Sequence, residues 1–514
     1  MFLQAACKPG SGFLAPHVPP NAAEPANSES PKFGPAMTAV LAGPGDGGIV
    51  AATQPCRCHH PRATLAATIL GSSVAFIDGS VVNVALPTLQ HDLGASAAGL
   101  SWTINAYLLP LGALILIGGG LGDHFGRRRL FLIGLSTFTL ASLACAVAPS
   151  LVWLLGGRGL QGLGAALLMP NSLAILGAAF TGERRGRAVG TWAAMGALAG
   201  AIGPVLGGWL VDTVGWRMIF LINLPIASAA GCLAWAYVAE SRDTRQAAPL
   251  DWRGAVLATA GLALLTWALT AAASANAGAT MIWPAALLGC ALLVSFVMVE
   301  AWQGERAIMP LSMFATPAFV GLTLLTFLVY GSLTGLLVLL PFLLIKVAGM
   351  TAIASGATVL PVPVLVGLGS PLMGSVTGRY GGRWPLALGA SVVAAGLAMY
   401  ARVGLEDIHY FTVILPATVL VGLGMAVVVA PLTTSVMASV AADQIGTASG
   451  FNSAVARVAG LVATGLVGFV FAMHGSAGGL VGAFRLAALV GAAATAAGAA
   501  CAVILIPHSP KAAT

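Results

Sequence analysis

An aspartate interrupts a long apolar run in Phe76-Ile77-Asp78-Gly79-Ser80-Val81-Val82-Asn83-Val84-Ala85-Leu86-Pro87. In a helix that crosses a membrane, a carboxyl at that depth costs about 2.5–3.5 kcal/mol on insertion scales, so it must face a cavity or a partner. A group so placed can take up a proton from one side and release it to the other as its surroundings alternate. The plainer reading is a fixed hydrogen bond to a neighbouring helix. Arg158 and Gln161 stand one turn apart in Arg158-Gly159-Leu160-Gln161-Gly162-Leu163-Gly164. A buried arginine needs a counter-charge or water, and Asp78 is the acid available well inside an early helix. The alternative is a side chain that snorkels to one interface. Burial disfavours a charged carboxylate and a guanidinium favours it, so the two influences on Asp78 oppose each other.

Other polar residues sit inside apolar runs. Asn83, Asn105, Gln161, Asn223 and Arg457 are candidates for lining a substrate cavity, with interhelical hydrogen bonds as the alternative for the asparagines, Asn171 included. The turn Gly119-Gly120-Leu121-Gly122-Asp123-His124-Phe125-Gly126-Arg127-Arg128-Arg129 is glycine-rich and charged. Its Asp123 can cap a helix N-terminus or pair with an arginine of the turn. Such a contact would form a gate latch built on Gly119, Asp123, Gly126, Arg127 and Arg128; a plain charged turn is the alternative. Gly196, Gly200, Pro204 and Gly208 recur every four residues, and Gly203 and Gly207 flank them. That spacing predicts one close-packing face with a kink allowed by Pro204. Glu300 is read as solvated. No phosphate loop of the Gly-x4-Gly-Lys-Ser/Thr type occurs. No metal-ligand cluster or nucleophile–base set lies in the apolar region, so an enzyme is disfavoured. No cofactor is expected, and a proton gradient is the expected energy source.

The elements that must hold these residues follow from composition. Hydrophobic residues make up 58% of the 514, charged residues 8%, and mean hydropathy is +0.93. Soluble domains carry about 25% charged residues, so the chain reads as an integral membrane protein. Its apolar runs have the length of membrane helices, whereas membrane strands would show short alternating segments. The net charge of +7 reflects loop arginines rather than a nucleic-acid surface. The seven cysteines suggest no disulfide framework, and no signal peptide is evident. Residues 1–63 lack periodicity and read as a disordered cytoplasmic tail; Met37 is an alternative start. The cluster Cys56-Arg57-Cys58-His59-His60 could hold a metal, but no second ligand pair lies nearby.

Fourteen helices are predicted, at 65–88, 100–120, 130–148, 151–176, 187–211, 217–238, 253–274, 283–301, 318–345, 353–376, 384–402, 411–437, 447–473 and 482–506. Seventeen of the 23 Lys and Arg residues fall on the side of the termini and four on the other. That bias places both termini in the cytoplasm. Gly374-Ser375-Val376-Thr377-Gly378-Arg379-Tyr380-Gly381-Gly382-Arg383 echoes the turn at 119–129. The echo predicts two six-helix bundles, 64–240 and 316–507, with an inserted two-helix hairpin at 250–302. Such duplicated bundles mark secondary transporters.

These segments together resemble the major facilitator superfamily, specifically its fourteen-spanner drug/proton antiporters. Asp78–Pro87 looks like that family's first-helix signature, and Gly119–Arg128 like its cytoplasmic loop motif. Arg158-x-x-Gln161-Gly162-x-Gly164 resembles the fourth-helix motif, and Gly203-Pro204-x-x-Gly207-Gly208 the antiporter motif of helix 5. Trp216–Pro225 and Asp251-Trp252-Arg253-Gly254 match further. His124 departs from the loop motif, which usually has Arg there. The resemblance, over about residues 64–507, implies alternating-access export of drugs or other small organic compounds in exchange for protons, with Asp78 and Arg158 in the coupling machinery. Proteins of this family occur in bacterial inner membranes and fungal plasma membranes, and the Ala/Gly-rich sequence points to the bacterial inner membrane; the implied partners are the bilayer, the substrate and protons, with no nucleic acid. A periplasmic adaptor and an outer-membrane channel are further candidate partners. A dedicated exporter of one metabolite, lipid or siderophore is the alternative, followed by a non-transporting sensor or scaffold and a proton-driven importer.

Overall fold

Backbone amides have no water to bond in hydrocarbon, so each apolar run closes its hydrogen bonds within a helix. The computed structural model describes residues 60–242, 251–272, 279–304, 309–404, 410–440, 444–472 and 477–507. Most of the predicted tail, including 56–59 of the Cys/His cluster, lies outside the described residues. The helices are α1 (Pro61–Asp92), α2 (Ala97–Phe125), α3 (Arg127–Ala146), α4 (Leu151–Ala179), α5 (Gly182–Thr213), α6 (Met218–Leu221), α7 (Asn223–Tyr237), α8 (Trp252–Ala272) and α9 (Ala279–Gln303). The second part has α10 (Pro317–Lys346), α11 (Ala352–Thr358), α12 (Pro361–Tyr380), α13 (Arg383–Tyr400), α14 (Leu415–Ala438), α15 (Ile445–Ala472) and α16 (Ala477–Leu505).

Two passes are broken, α6–α7 and α11–α12, so the described residues make the fourteen passes expected. Pro361, which has no N–H to donate, opens α12 at the second break. Thirteen passes are long and apolar enough to cross a membrane on their own terms; the other, α13, opens on Arg383-Trp384-Pro385. α1 begins at Pro61, inside the predicted tail boundary, with proline near its N-terminus where no N–H bond is lost.

The helices form two six-helix bundles with matching neighbours. In the first, α1 lies against α4, α5 and α7, α2 against α4, and α3 against α4 and α7. In the second, α10 lies against α15 and α16, α12 against α14, and α13 against α14 and α16. The bundles meet through α2 on α15, α5 on α11 and α12, and α1 on α10. The turns after α2 and α12 also correspond: Gly126 (φ 110°) and Gly381 (φ 77°) each precede an arginine-led helix. The α8–α9 hairpin lies against α2 and α15 at the seam, and exposes Trp283, Leu287, Met298 and Trp302 as a lipid-facing helix should.

Small residues set the spacing within bundles. A Cβ on Gly134 would come 2.7 Å from the Gly164 carbonyl oxygen, and one on Gly164 would come 2.7 Å from that of Gly134, so α3 and α4 touch backbone to backbone. A polar clamp ties three helices of the first bundle. The Trp192 indole N–H donates to Ser72 and Ser172, each at 2.9 Å, on α1 and α4.

Candidate coupling site and central cavity

Asp78 sits midway along α1 and is wholly buried, as are Arg158, Gln161 and Asn223 around it. The one-turn spacing of Arg158 and Gln161 puts both on the face of α4 that meets α1. Arg158 Nη1 donates to Asp78 Oδ2 and, at 2.8 Å, to Gln161 Oε1. Gln161 Nε2 donates to Asp78 Oδ1 at 3.0 Å and Asn223 Nδ2 to the same oxygen at 3.2 Å. Both amides also donate to the Ser142 hydroxyl, at 2.7 and 3.3 Å. Arg158 Nε donates to the Thr103 carbonyl at 3.1 Å, and its guanidinium carbon lies 4.4 Å from the Tyr107 ring centroid. Five passes, α1, α2, α3, α4 and α6–α7, therefore meet at one carboxylate. The guanidinium is held inside and does not snorkel. It lies seven residues into α4, about 10 Å at 1.5 Å per residue.

A cavity of about 260 Å³ opens beside this cluster, between the bundles. Arg158 belongs to both: it holds Asp78 and lines the cavity. The predicted cavity residues separate on this point. Asn83 and Arg457 line the cavity. Gln161 and Asn223 do not; they turn away to the carboxylate. Asn105 does not either: its Oδ1 accepts from Thr464 of α15. Asn171 makes an interhelical bond, donating to the Gly118 carbonyl at 2.9 Å. Composition alone could not divide these amides, because an amide serves substrate and helix contact equally well. Tyr107, Ser142 and Thr103 carried no signal, being indistinguishable in sequence from ordinary core residues.

At the end of the bundle carrying the arginine-rich turns, Asp123 Oδ1 accepts from Arg127 Nε and Nη2 at 2.8 and 2.7 Å. Asp123 lies in the last turn of α2 and caps no helix N-terminus. Glu240 takes that role instead, accepting from the backbone N–H groups of Arg128 and Arg129 at 3.1 and 3.2 Å at the start of α3. Arg128 donates to the Trp235 carbonyl at 2.6 Å. Gly119 faces Pro170 of α4. All these contacts lie within the first bundle. Glu240 was legible only as an acid beyond the sixth helix.

The glycine motif of α5 serves two neighbours. A Cβ on Gly203 would come 1.9 Å from Ser80 Oγ and one on Gly207 2.4 Å from Val81 Cγ2, both on α1. One on Gly208 would come 2.4 Å from the Ala352 carbonyl oxygen of α11, and one on Gly356 2.2 Å from the Pro204 carbonyl oxygen. A Cβ on Gly196 would meet Phe76, while one on Gly200 would have no atom of the described residues within 4 Å beyond its own helix. The predicted single face from 196 to 208 therefore does not hold. A four-residue repeat drifts about 40° per step at 3.6 residues per turn, so twelve residues turn the stripe about a third of the way round. Beyond the glycines, Asp212 accepts from the N–H groups of Ala352 and Ile353 at 3.1 and 2.8 Å. That carboxylate caps α11 across the bundle boundary.

Glu300, expected to be solvated, is fully buried and accepts from the Met309 N–H at 2.8 Å. Asp251 caps α8 through the Gly254 N–H at 2.9 Å. Among the described residues no group of three or more His, Cys, Asp or Glu could hold a metal.

Comparison with known proteins agrees with this architecture. The chain is 36% identical over 414 residues to "Multidrug resistance protein Stp" of Mycobacterium tuberculosis, covering 80% of this chain and 75% of that one. It is 31% identical over 412 residues to the "Tetracenomycin C resistance and export protein" of Streptomyces glaucescens, with 80% and 76% covered. It is 30% identical over 439 residues to the "Methylenomycin A resistance protein" of Bacillus subtilis, with 82% and 91% covered. Among solved structures, a POT family transporter in complex with 5-aminolevulinic acid superposes with a TM-score of 0.65 at 14% identity, over 85% of this chain and 95% of that one. At that identity the likeness speaks for the fold alone. The profile described as "Major Facilitator Superfamily" matches residues 68–464, well over half of the chain, and this protein belongs to that superfamily.

Proposed function

We propose that this protein is a secondary active transporter that exports drugs or other small organic compounds by alternating access, driven by protons through Asp78 and Arg158. The observation that carries the reading is the buried Asp78–Arg158 pair whose arginine also lines the cavity between the bundles. A proton on Asp78 cancels the carboxylate's charge and frees Arg158, which then has Gln161, the Thr103 carbonyl and the cavity to turn to. Because the pair joins α1 to α4, its release loosens two helices at the cavity wall. The names of the bacterial relatives, which include drug resistance and export, favour outward transport of organic compounds.

In this reading the moving bodies are residues 64–240 and 316–507, and 250–302 is a hairpin inserted between them. The arginine-rich end and both termini face the cytoplasm, following the Lys/Arg bias. Asp123–Arg127 and the glutamate cap on α3 brace the cytoplasmic gate with Gly119, Gly126 and Arg128. The seam of Gly203, Pro204, Gly207 and Gly208, with Asp212 beyond it, closes the opposite end.

Dye efflux tests the reading. Pump-deficient cells expressing wild type or Asp78→Asn are loaded with cationic, neutral and anionic dyes, energised, and followed with and without an uncoupler. Wild type should clear at least one dye, the uncoupler should stop it, and Asp78→Asn should be inactive at equal membrane levels. Normal export by Asp78→Asn would remove that residue from the coupling step.

A further inference from the structure

The cavity holds a charge that the coupling site does not use. Two guanidinium groups line it, and Asp78 neutralises that of Arg158. Arg457, on α15 across the cavity, has no carboxylate within ion-pair distance among the described residues. Its Nη2 reaches the thioether of Met169 at 3.7 Å, a weak acceptor, and its Nε is buried without a hydrogen-bond partner. Among the described residues no Asp or Glu lines the cavity. An arginine cannot shed its proton to escape this position, and an unpaired cation at membrane depth is costly. The cost falls when an anion enters the cavity. Two aromatic side chains, Phe76 and Tyr330, line the same space and offer apolar surface to a ring, whereas the Tyr107 ring beside them is covered by the Arg158 guanidinium.

We propose that Arg457 selects substrate charge, and that the cavity takes small aromatic compounds bearing a carboxylate, sulfonate or phenolate. The planar guanidinium fork suits an oxyanion, which it can bond with two parallel N–H donors, while the ring lies against Phe76 and Tyr330. This inference rests on the exporter reading and narrows its substrates. It also predicts the opposite charge preference from a pump for lipophilic cations.

The test compares 2-naphthalenesulfonate with 2-naphthyltrimethylammonium, one ring system carrying opposite permanent charges. Energised everted vesicles containing wild type, Arg457→Gln or Arg457→Lys are assayed for accumulation of each probe with and without uncoupler. Binding of both probes to the purified proteins is measured in parallel. The expectation is an anion preference of about tenfold or more in wild type, lost in Arg457→Gln and largely kept in Arg457→Lys, with all three eluting alike on size exclusion. Uncoupler-sensitive flux that favours the ammonium probe, or an anion preference that survives Arg457→Gln, overturns the role of Arg457 and leaves the exporter reading standing. Sulfonate binding that depends on Arg457, without flux of either probe, upholds the site and sinks the transport reading. Neither binding nor flux overturns both.

Discussion

The buried aspartate acquires its meaning from what surrounds it. Arg158 bonds Asp78, Gln161 and the Thr103 carbonyl at once, which needs a planar fork rather than a point charge. Arg158→Lys should therefore lose about tenfold or more of proton-driven flux while the protein still reaches the membrane, as flux normalised to membrane level would read. Arg158→Ala leaves the fully buried carboxylate without its cation. Breaking a buried pair from one side costs about 3–5 kcal/mol, so this variant should unfold at markedly lower temperature in detergent. Replacing both members should be less damaging than the sum of the single changes, and a double-mutant cycle in melting temperature measures the difference. The sequence exposed Asp78 and Arg158 because charge inside an apolar run is conspicuous. Tyr107, Ser142 and Thr103 gave no such sign, since aromatic and hydroxyl side chains are ordinary within membrane helices.

Helix contacts decide which small and acidic residues matter. Gly126, at φ 110°, joins α2 to α3, and a Cβ there would come 2.7 Å from the Glu240 carboxylate. Gly126→Ala combines backbone strain with displacement of the group capping α3. A loss of about 1–3 kcal/mol is expected, read as a lower melting temperature. The α5–α11 seam leaves even less room. Gly208→Val would drive a side chain into the Ala352 carbonyl, so transport should be abolished even where the protein is made and inserted. Wild-type flux in this variant would show that the bundles need not approach there. The hairpin has its own anchor in Glu300. Glu300→Gln keeps an acceptor for the Met309 N–H, whereas Glu300→Ala orphans that donor, and about 1–3 kcal/mol should separate the two. A thermal-stability comparison of the pair checks this. The regular spacing of glycines in α5 suggested one face, but the helical period turns that stripe past two different partners.

At the scale of the whole molecule, two bundles with the same internal neighbours meet through reciprocal contacts, α2 with α15 and α5 with α11–α12, while α1 meets its counterpart α10. This pairing places the cavity between the bundles. The Lys/Arg bias predicts which end faces the cytoplasm. Fluorescent-protein fusions at the C-terminus should glow, and periplasmic-enzyme fusions at the connection between α3 and α4 should be active. The reverse pattern would invert the orientation.

The amino-acid sequence by itself determined the class of molecule, because 8% charged residues cannot cover a soluble surface and apolar runs of membrane length have only the helix to satisfy their backbone. It determined the number of passes, since loop arginines alternate with apolar spans, and it marked Asp78 and Arg158 as charges in want of partners. Only the tertiary structure decided which amides hold the carboxylate and which face the cavity, that Glu240 and Asp212 cap helices far along the chain, and that Arg457 faces the cavity with no carboxylate in ion-pair distance among the described residues. Those outcomes depend on the angular position of each side chain and on which helix lies opposite. Local composition leaves both free until all the helices are packed.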